Sequence, residues 1–340
     1  MRCTEVHGFN YDGSWGTSGL DLWQHHDHGM MAVEIARGKR YFPGWNVCRW
    51  WLSEESFQRN PERFLAHLEA GLGLFAQHGI SVIPLLFNRW RDPVCDFGGV
   101  SLEHVVAGLS FSAGTPTDLF AHAGALWPRQ PARIEKLHLA YLTAVIGAHK
   151  DDSRIFAWDL CNEPLMGPYV DDADNLVTQG ELRWLRWVHD TCKRLGATQP
   201  FTIGNYGRMA AIELTEPLSD IISIHPYFIW NDPNADKSAF ERQLDACVSF
   251  AAQKGKELLA SETVWGALDD AKHVEIMHYT LGQLRQRRIG FIVHALQHSL
   301  VADLHYPAYG PVGYPETLHF VNADGSLRPG HEAFNDYCTS

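Results

Sequence analysis

Eight short apolar runs recur along these 340 residues, and most are separated by stretches with the spacing of amphipathic helices. Few folds are open to such a chain, because strands that alternate with helices pair in parallel and need helices to cover them. The runs are TEVHGFNY (4–11), GWNVCRWWLS (44–53), ISVIPLLFN (80–88), RIFAWDLCNEP (154–164), PFTIGNYG (200–207), DIISIHPY (220–227), KELLASETVWG (256–266) and IGFIVHALQHS (289–299). The third is apolar almost throughout, as a doubly covered parallel strand should be. Before it, NPERFLAHLEAGLGLFAQHG (60–79) reads as a helix, with Pro61 in the first turn and Gly79 at the stop.

Eight such units predict an α/β protein, a single (β/α)8 TIM barrel spanning 1–340 with long strand-end loops. The competing arrangement, a doubly wound open sheet, carries a glycine-rich phosphate turn after its first strand. HGFNYDGSWG (7–16) has neither that spacing nor an immediate helix. The longest connection, 89–132, contains Trp90, Phe97, Phe111, Phe120 and Trp127, which predict an ordered loop insertion over one side of the cleft.

Composition narrows the partners. Net charge is −12 and no basic run exists, which argues against nucleic acid. No apolar stretch approaches the roughly twenty residues of a membrane span. Seven scattered cysteines without a Cys-x-x-Cys pair suggest reduced thiols rather than a disulfide framework or a zinc site. The amino terminus, MRCTEVHGFNYDG, lacks the apolar core of a signal peptide. A cytoplasmic protein is expected, or a secreted one whose leader has been removed. Twelve Trp and eleven Tyr, many beside Gly and Pro, suit the apolar faces and hydroxyl rims of sugars, although core packing explains any single one as well.

Barrel enzymes gather their chemistry at the carboxyl ends of the strands. Here those ends offer Asn10 and Tyr11, Arg49, Asn88, Asn162 and Glu163, Asn205 and Tyr206, His225 and Tyr227, Glu262, and His294 to His298. In AWDLCNEP, Glu163 directly follows an apolar run, a costly place for a carboxylate without a partner. Glu262 holds the corresponding place after the seventh run. Two carboxyls facing one another across a barrel mouth suit glycosidic bond cleavage. One protonates the leaving oxygen and the other attacks the anomeric carbon, their pKa values pushed apart by different surroundings. Strand-end glutamates also serve as structural ion-pair partners, so the motif around them matters.

WDLCNEP, ISIHPY and LLASETVWG, in that order on separate strands, resemble the clan A retaining glycoside hydrolases, and most of all glycoside hydrolase family 5, of the cellulase and mannanase type. The closing NADGSLRPGHEAF (322–334) resembles the ending common in such enzymes. The resemblance implies that Glu163 is the acid/base and Glu262 the nucleophile. It implies that Asn162 holds the sugar 2-hydroxyl, and that His225 and Tyr227 line the site with the Tyr turned toward the nucleophile. Arg49 would lie beside the nucleophile and keep it ionised. Two positions depart from the family's pattern: Asn88 stands where a His is usual, and His294 where a Trp usually floors the subsite of the reacting sugar. Both are expected to line the cleft, while Trp265 is expected either to stack on sugar or to pack in the core.

The expected activity is therefore hydrolysis of a β-linked oligo- or polysaccharide with retention, using no cofactor and no metal. The alternatives are a carbohydrate-binding barrel without catalysis, or a metal-dependent barrel hydrolase using the run QHHDHG (24–29). Adjacent residues rarely converge on one ion. That run reads as the start of the first helix, with Asp27 and His28 on a cleft wall. Cys161, beside the acid/base position, is expected to be a small packed residue facing the barrel wall.

Overall fold

The computed structural model describes residues 1–88, 130–165, 168–172, 174–303 and 317–338. Strands β1 (His7–Tyr11), β2 (Val47–Trp51), β3 (Ser81–Leu85), β4 (Trp158–Asn162), β5 (Phe201–Tyr206), β6 (Ile221–His225), β7 (Glu257–Ala260) and β8 (Gly290–Val293) form a closed barrel in chain order. Each pairs in parallel with the next, and β8 returns to β1 with Gly8 opposite Ile292. This is the expected (β/α)8 barrel.

Side chains alternate across each strand, so each run has one face toward the helices and one toward the barrel axis. The outward face is apolar: Phe9, Cys48, Val82, Leu160, Ile203, Ile222 and Phe291 join the main core under the helices. The inward face changes character along its length. Near the amino ends, Val47, Ile83, Ala157, Ile221, Leu259 and Ile292 form a separate apolar cluster, closed by Cys3 and Val6. Two residues further on, the same faces carry Arg49, Asp159, Ser223, Ser261 and His294, all buried. The barrel is thus an apolar plug below and a polar layer above, and the polar layer lies at the end where barrel chemistry sits.

Local sequence sets the helices. In Pro61–Gln77 the Asn60 side chain accepts from the Arg63 N–H, and Phe64, Leu68, Leu72 and Phe75 form the buried stripe. Gly79 follows at φ +67°, the left-handed conformation that ends a helix most cheaply with glycine. Three expectations need adjustment. The first strand starts at His7, because Cys3–Glu5 turn as a short 3-10 helix that seals the barrel floor. QHHDHG does not open one helix: Gly19–Gln24 ends within it, and Asp27 caps the next helix, His28–Tyr41, by accepting from the Met30 N–H. Of the expected 89–132 insertion, 89–129 lie outside the described residues, and a helix Gln130–His149 has begun by residue 130.

The closing segment is pinned to the helix Asp270–Gln286 by a buried basic cluster. Arg328 pairs with Asp270 (2.7 Å) and lies 2.9 Å from His273 Nδ1, while His331 Nε2 lies 2.8 Å from the same nitrogen. Burial, aided by the Arg328 charge, pushes His331 down to about 4. Burial and the charges of His331 and Arg328 hold His273 well below the ordinary histidine range. With folded pKa values depressed, the unfolded chain takes up protons first as pH falls. The contribution is complete above the unfolded pKa near 6.5 and is lost toward about 4. Between pH 7 and 5.5 each of these histidines should lower the stability measured by urea denaturation by on the order of 1 kcal/mol, against an opposite contribution from the buried carboxyls Asp12 and Glu54, whose raised pKa values let them take up protons while folded. His331→Phe should flatten that slope; an unchanged slope in the variant contradicts the assignment.

Candidate active site

Arg49 organises the polar layer. It sits on β2 two residues above Val47, so the pleat that buries Val47 in the plug also sends the guanidinium to the barrel axis. Its Nε donates to Asp159 Oδ2 (2.8 Å), Nη1 to Asn10 Oδ1 (3.1 Å) and Glu262 Oε1 (2.5 Å), and Nη2 to Asn162 Oδ1 (2.9 Å). The indole of Trp51 lies under it, 5.1 Å from ring centre to guanidinium carbon. Burial works against the Arg49 charge, but Asp159 and Glu262 more than offset it and raise its pKa. Five donors in a rigid fork thereby tie four strands together.

Glu262 follows β7 and is buried. Oε1 takes the Arg49 bond; Oε2 accepts from the Tyr227 hydroxyl (2.9 Å) and lies 3.6 Å from Nδ1 of both His225 and His294. Burial alone would raise its pKa. The charges of His225 and Arg49 and the hydrogen bond and charge of His294 outweigh burial and hold the carboxyl well below its ordinary range. The same neighbourhood lifts His294 above the ordinary histidine value against the effect of burial. Burial, then Glu262, pushes Tyr227 well up, so its hydroxyl stays a donor.

Glu163 stands just past β4 with φ +46°, a left-handed backbone that costs a non-glycine residue on the order of 1 kcal/mol. Its N–H donates to the Gly204 carbonyl (2.8 Å), which helps fix this turn. Glu163 Oε1 lies 2.7 Å from His225 Nδ1, and His225 Nε2 lies 3.0 Å from the Ser261 hydroxyl. Room for His225 comes from β5: a Cβ on Gly204 would sit 2.5 Å from His225 Nε2 and 2.9 Å from Arg49 Nη2. Any larger residue there would displace both groups.

One oxygen of Glu163, one of Glu262 and a nitrogen of His225 lie within 4.8 Å of one another. The span alone would suit a metal ion. The surroundings favour a proton instead, because Arg49 already supplies positive charge to Glu262 and Ser261 engages the other His225 nitrogen. A second group with metal-like spacing, Glu69, His149 and Asp152, already holds the Arg154 guanidinium at 2.7 and 2.6 Å from its carboxylates.

The structure gathers the residues expected from sequence as follows. Glu163, Glu262, Arg49, Asn162, His225, Tyr227 and His294 share this one bonded network. Asn162 donates to Asn88 Oδ1 (3.2 Å), placing Asn88 beside it. Asn162 Oδ1 is committed to Arg49, so the amide nitrogen is its donating end, held by Asn88. Trp265 meets Tyr227 edge to face at 5.5 Å, half-buried, with its indole nitrogen without a partner among the described residues. Cys161 is buried in the core, while Asp27 caps its helix and, like His28, is exposed. Sequence reading passed over Asp159, Ser223, Ser261, Trp51 and Asp12. A signal for the first three existed: each stands two residues after a plug residue. Period-two counting from Ala157, Ile221 and Leu259 finds them.

No family model matches the chain. Over 100 residues it is 27% identical to a mannan endo-1,4-β-mannosidase F of Aspergillus clavatus, covering 29% of this chain and 19% of that one. Over 131 residues it is 28% identical to a probable mannan endo-1,4-β-mannosidase A of the same fungus, covering 38% and 30%. The chain thus spans less than a third of the length of these curated relatives. Among solved structures, an exo-β-1,4-mannosidase from Opitutaceae bacterium strain TAV5 superposes with TM-score 0.71 at 16% identity, over 97% of this chain and 58% of that one. A glycoside hydrolase family 5 mannosidase from Rhizomucor miehei in complex with mannosyl-fructose does so with TM-score 0.65 at 18% identity, over 98% and 92%. The likeness is one of fold: the chain forms the same kind of barrel as these structures.

Arg49 is the point at which this network should fail. Arg49→Met keeps much of the side-chain length but removes the guanidinium that pairs with both buried Asp159 and Glu262. Urea denaturation should show a loss of about 3–5 kcal/mol, and a loss below about 1 kcal/mol would contradict the central role of the guanidinium.

Proposed function

We propose that this chain is a retaining β-glycoside hydrolase, akin to glycoside hydrolase family 5, that cleaves β-linked mannosides by double displacement. The observation carrying the reading is the separation of the two carboxylates, an oxygen of each within 4.8 Å of the other and both against one imidazole. Retaining glycosidases hold their carboxyls roughly 5–5.5 Å apart, whereas inverting ones need about 6.5–9.5 Å to admit a water between acid and base. The likeness to mannosidases and mannanases supports mannose as the sugar.

In this mechanism Glu262 attacks the anomeric carbon. Arg49 and Tyr227 keep its electron pair available by favouring the ionised carboxyl. Glu163 donates its proton to the departing glycosidic oxygen as that bond breaks, leaving a glycosyl ester on Glu262. Glu163 then takes a proton from water, the hydroxide oxygen bonds to the anomeric carbon, and the ester bond returns its pair to Glu262. His225, bridging both carboxyls, fixes the acid's position and relays the charge change between steps. Asn162, held by Arg49 and Asn88, turns its amide toward the sugar 2-hydroxyl.

A carbohydrate-binding barrel without catalysis would have no need for Glu163 in a strained backbone or for Glu262 held ionised in a buried site. The test is hydrolysis of nitrophenyl β-mannoside and of β-1,4-mannooligosaccharides, with product configuration followed by proton NMR. The β-anomer should appear first. Glu262→Gln should lower kcat by about 10³-fold or more on every substrate. Glu163→Gln should lose about 10²–10⁴-fold on the oligosaccharide but far less on the nitrophenyl glycoside, whose leaving group needs no proton. An α-anomer as first product, or full turnover in either variant, would end the proposal.

A further inference from the structure

Asp12 follows β1 and is nine-tenths buried, at 9% exposure. Unlike Asp159, it forms no hydrogen bond or ion pair among the described residues. Its oxygens keep an edge open to the outside, but most of their hydration is lost and no described residue donates in its place, which is costly for a carboxylate. Its backbone is well fixed. Buried Glu34 accepts from the Tyr11 hydroxyl (2.6 Å) and also binds the Ser14 hydroxyl, bracketing residues 11–14.

The Asp12 side chain lines a narrow recess with Trp15, Trp23, His26 and Trp51, with room for a group about the size of a water molecule. The recess adjoins the carboxylate site, because the Trp51 ring contacts His294 at 6.1 Å and underlies Arg49. His26 Nε2, on the same recess, is also buried and without a partner among the described residues. So the recess combines aromatic walls with a carboxylate to which no described residue donates. A hydroxyl group can donate to the carboxylate while its carbon lies against the aromatic walls.

We propose that Asp12 forms a hydroxyl-binding site that takes a ring hydroxyl or the hydroxymethyl arm of the sugar lying over Glu262, on the side remote from the bond being cleaved. The proposal rests on the glycosidase reading and adds the residue that selects which sugar fits. It also gives the β8 position a role: His294 is too small to replace a Trp floor, and recognition shifts to the β1 side. The groups facing Asp12 are His294 from beyond β8, Glu262 from beyond β7 and Arg49 from β2. Burial, against the pull of His294, leaves it at about 6. Burial and the charge of His67 push His26 down to about 4. Near pH 7 the first is therefore an acceptor and the second a neutral imidazole.

The test titrates methyl β-D-mannopyranoside and its 3-, 4- and 6-deoxy analogues into the wild type, Asp12→Asn and Asp12→Ala by calorimetry, and compares kcat/KM on the matching nitrophenyl glycosides. Asp12→Ala should weaken binding about tenfold or more. One deoxy analogue should bind the wild type as weakly as the parent sugar binds the variant, and lose nothing further in the variant. Because Asp12 has no hydrogen-bond partner to lose among the described residues, Asp12→Asn should melt at or above the wild-type temperature, which a structural aspartate would not do. Unchanged affinity in Asp12→Ala, multiplying penalties for every deoxy position, or no binding to the wild type would overturn the site. The two readings separate cleanly: sugar binding that depends on Asp12 without any turnover would sink the hydrolase and keep this site, and turnover indifferent to Asp12 would do the reverse.

Discussion

Burying a guanidinium is the constraint from which the rest of this barrel follows. Arg49 is wholly shielded from water, so its charge has to be met by anions and acceptors at fixed positions. Asp159 from β4 and Glu262 from beyond β7 supply the charge; Asn10 and Asn162 supply neutral acceptors. These partners come from strands placed around the whole circumference, so satisfying one side chain fixes the register of the barrel's upper layer. The chemistry follows, because a carboxylate recruited to balance Arg49 is kept ionised in a place where burial would otherwise neutralise it.

The polar layer also explains how much of the site could be read from the chain. The apolar runs revealed the barrel because their outward faces are uniformly hydrophobic, and NEP, HPY and SET revealed the carboxylates because polar residues closing apolar runs stand out. Asp159 and Ser261 were less visible. They sit inside the apolar runs, where they look like interruptions, and only the barrel's closure turns two consecutive inward positions into a plug residue and a network residue. The helix boundaries around QHHDHG were also hidden, since Asp27 acts as a cap through a local bond to Met30 and not through any charge pattern. Gly204 carried no signal at all: what requires a glycine there is His225 and Arg49, which are remote in sequence and adjacent only in the closed barrel.

The two glutamates reach the same small volume by different physical routes. Glu262 is placed by attraction, with Arg49 and Tyr227 each holding an oxygen. Glu163 is placed by its backbone, whose left-handed turn after β4 brings the carboxyl over the barrel axis. The difference suits the unequal duties proposed for them. A nucleophile benefits from neighbours that stabilise its charge, whereas an acid/base has to change its proton twice in a cycle and is better fixed by geometry than by a permanent cation. His225 links the two and lets a change at one carboxyl be felt at the other.

A comparison of the buried aspartates makes the last step. Asp159 and Asp12 are both shielded from water, and burial pushes both upward. Asp159 is answered from within the protein by Arg49 and by the Gly204 N–H (3.3 Å), and its role ends there. Asp12 stands on a backbone bracketed by Glu34, against aromatic walls, with no donor among the described residues. Folding energetics alone would favour replacing such a carboxylate with something apolar among those tryptophans. Its presence is consistent with a donor that arrives from outside, carried on a small neutral group, at the edge of the pocket where the two glutamates meet.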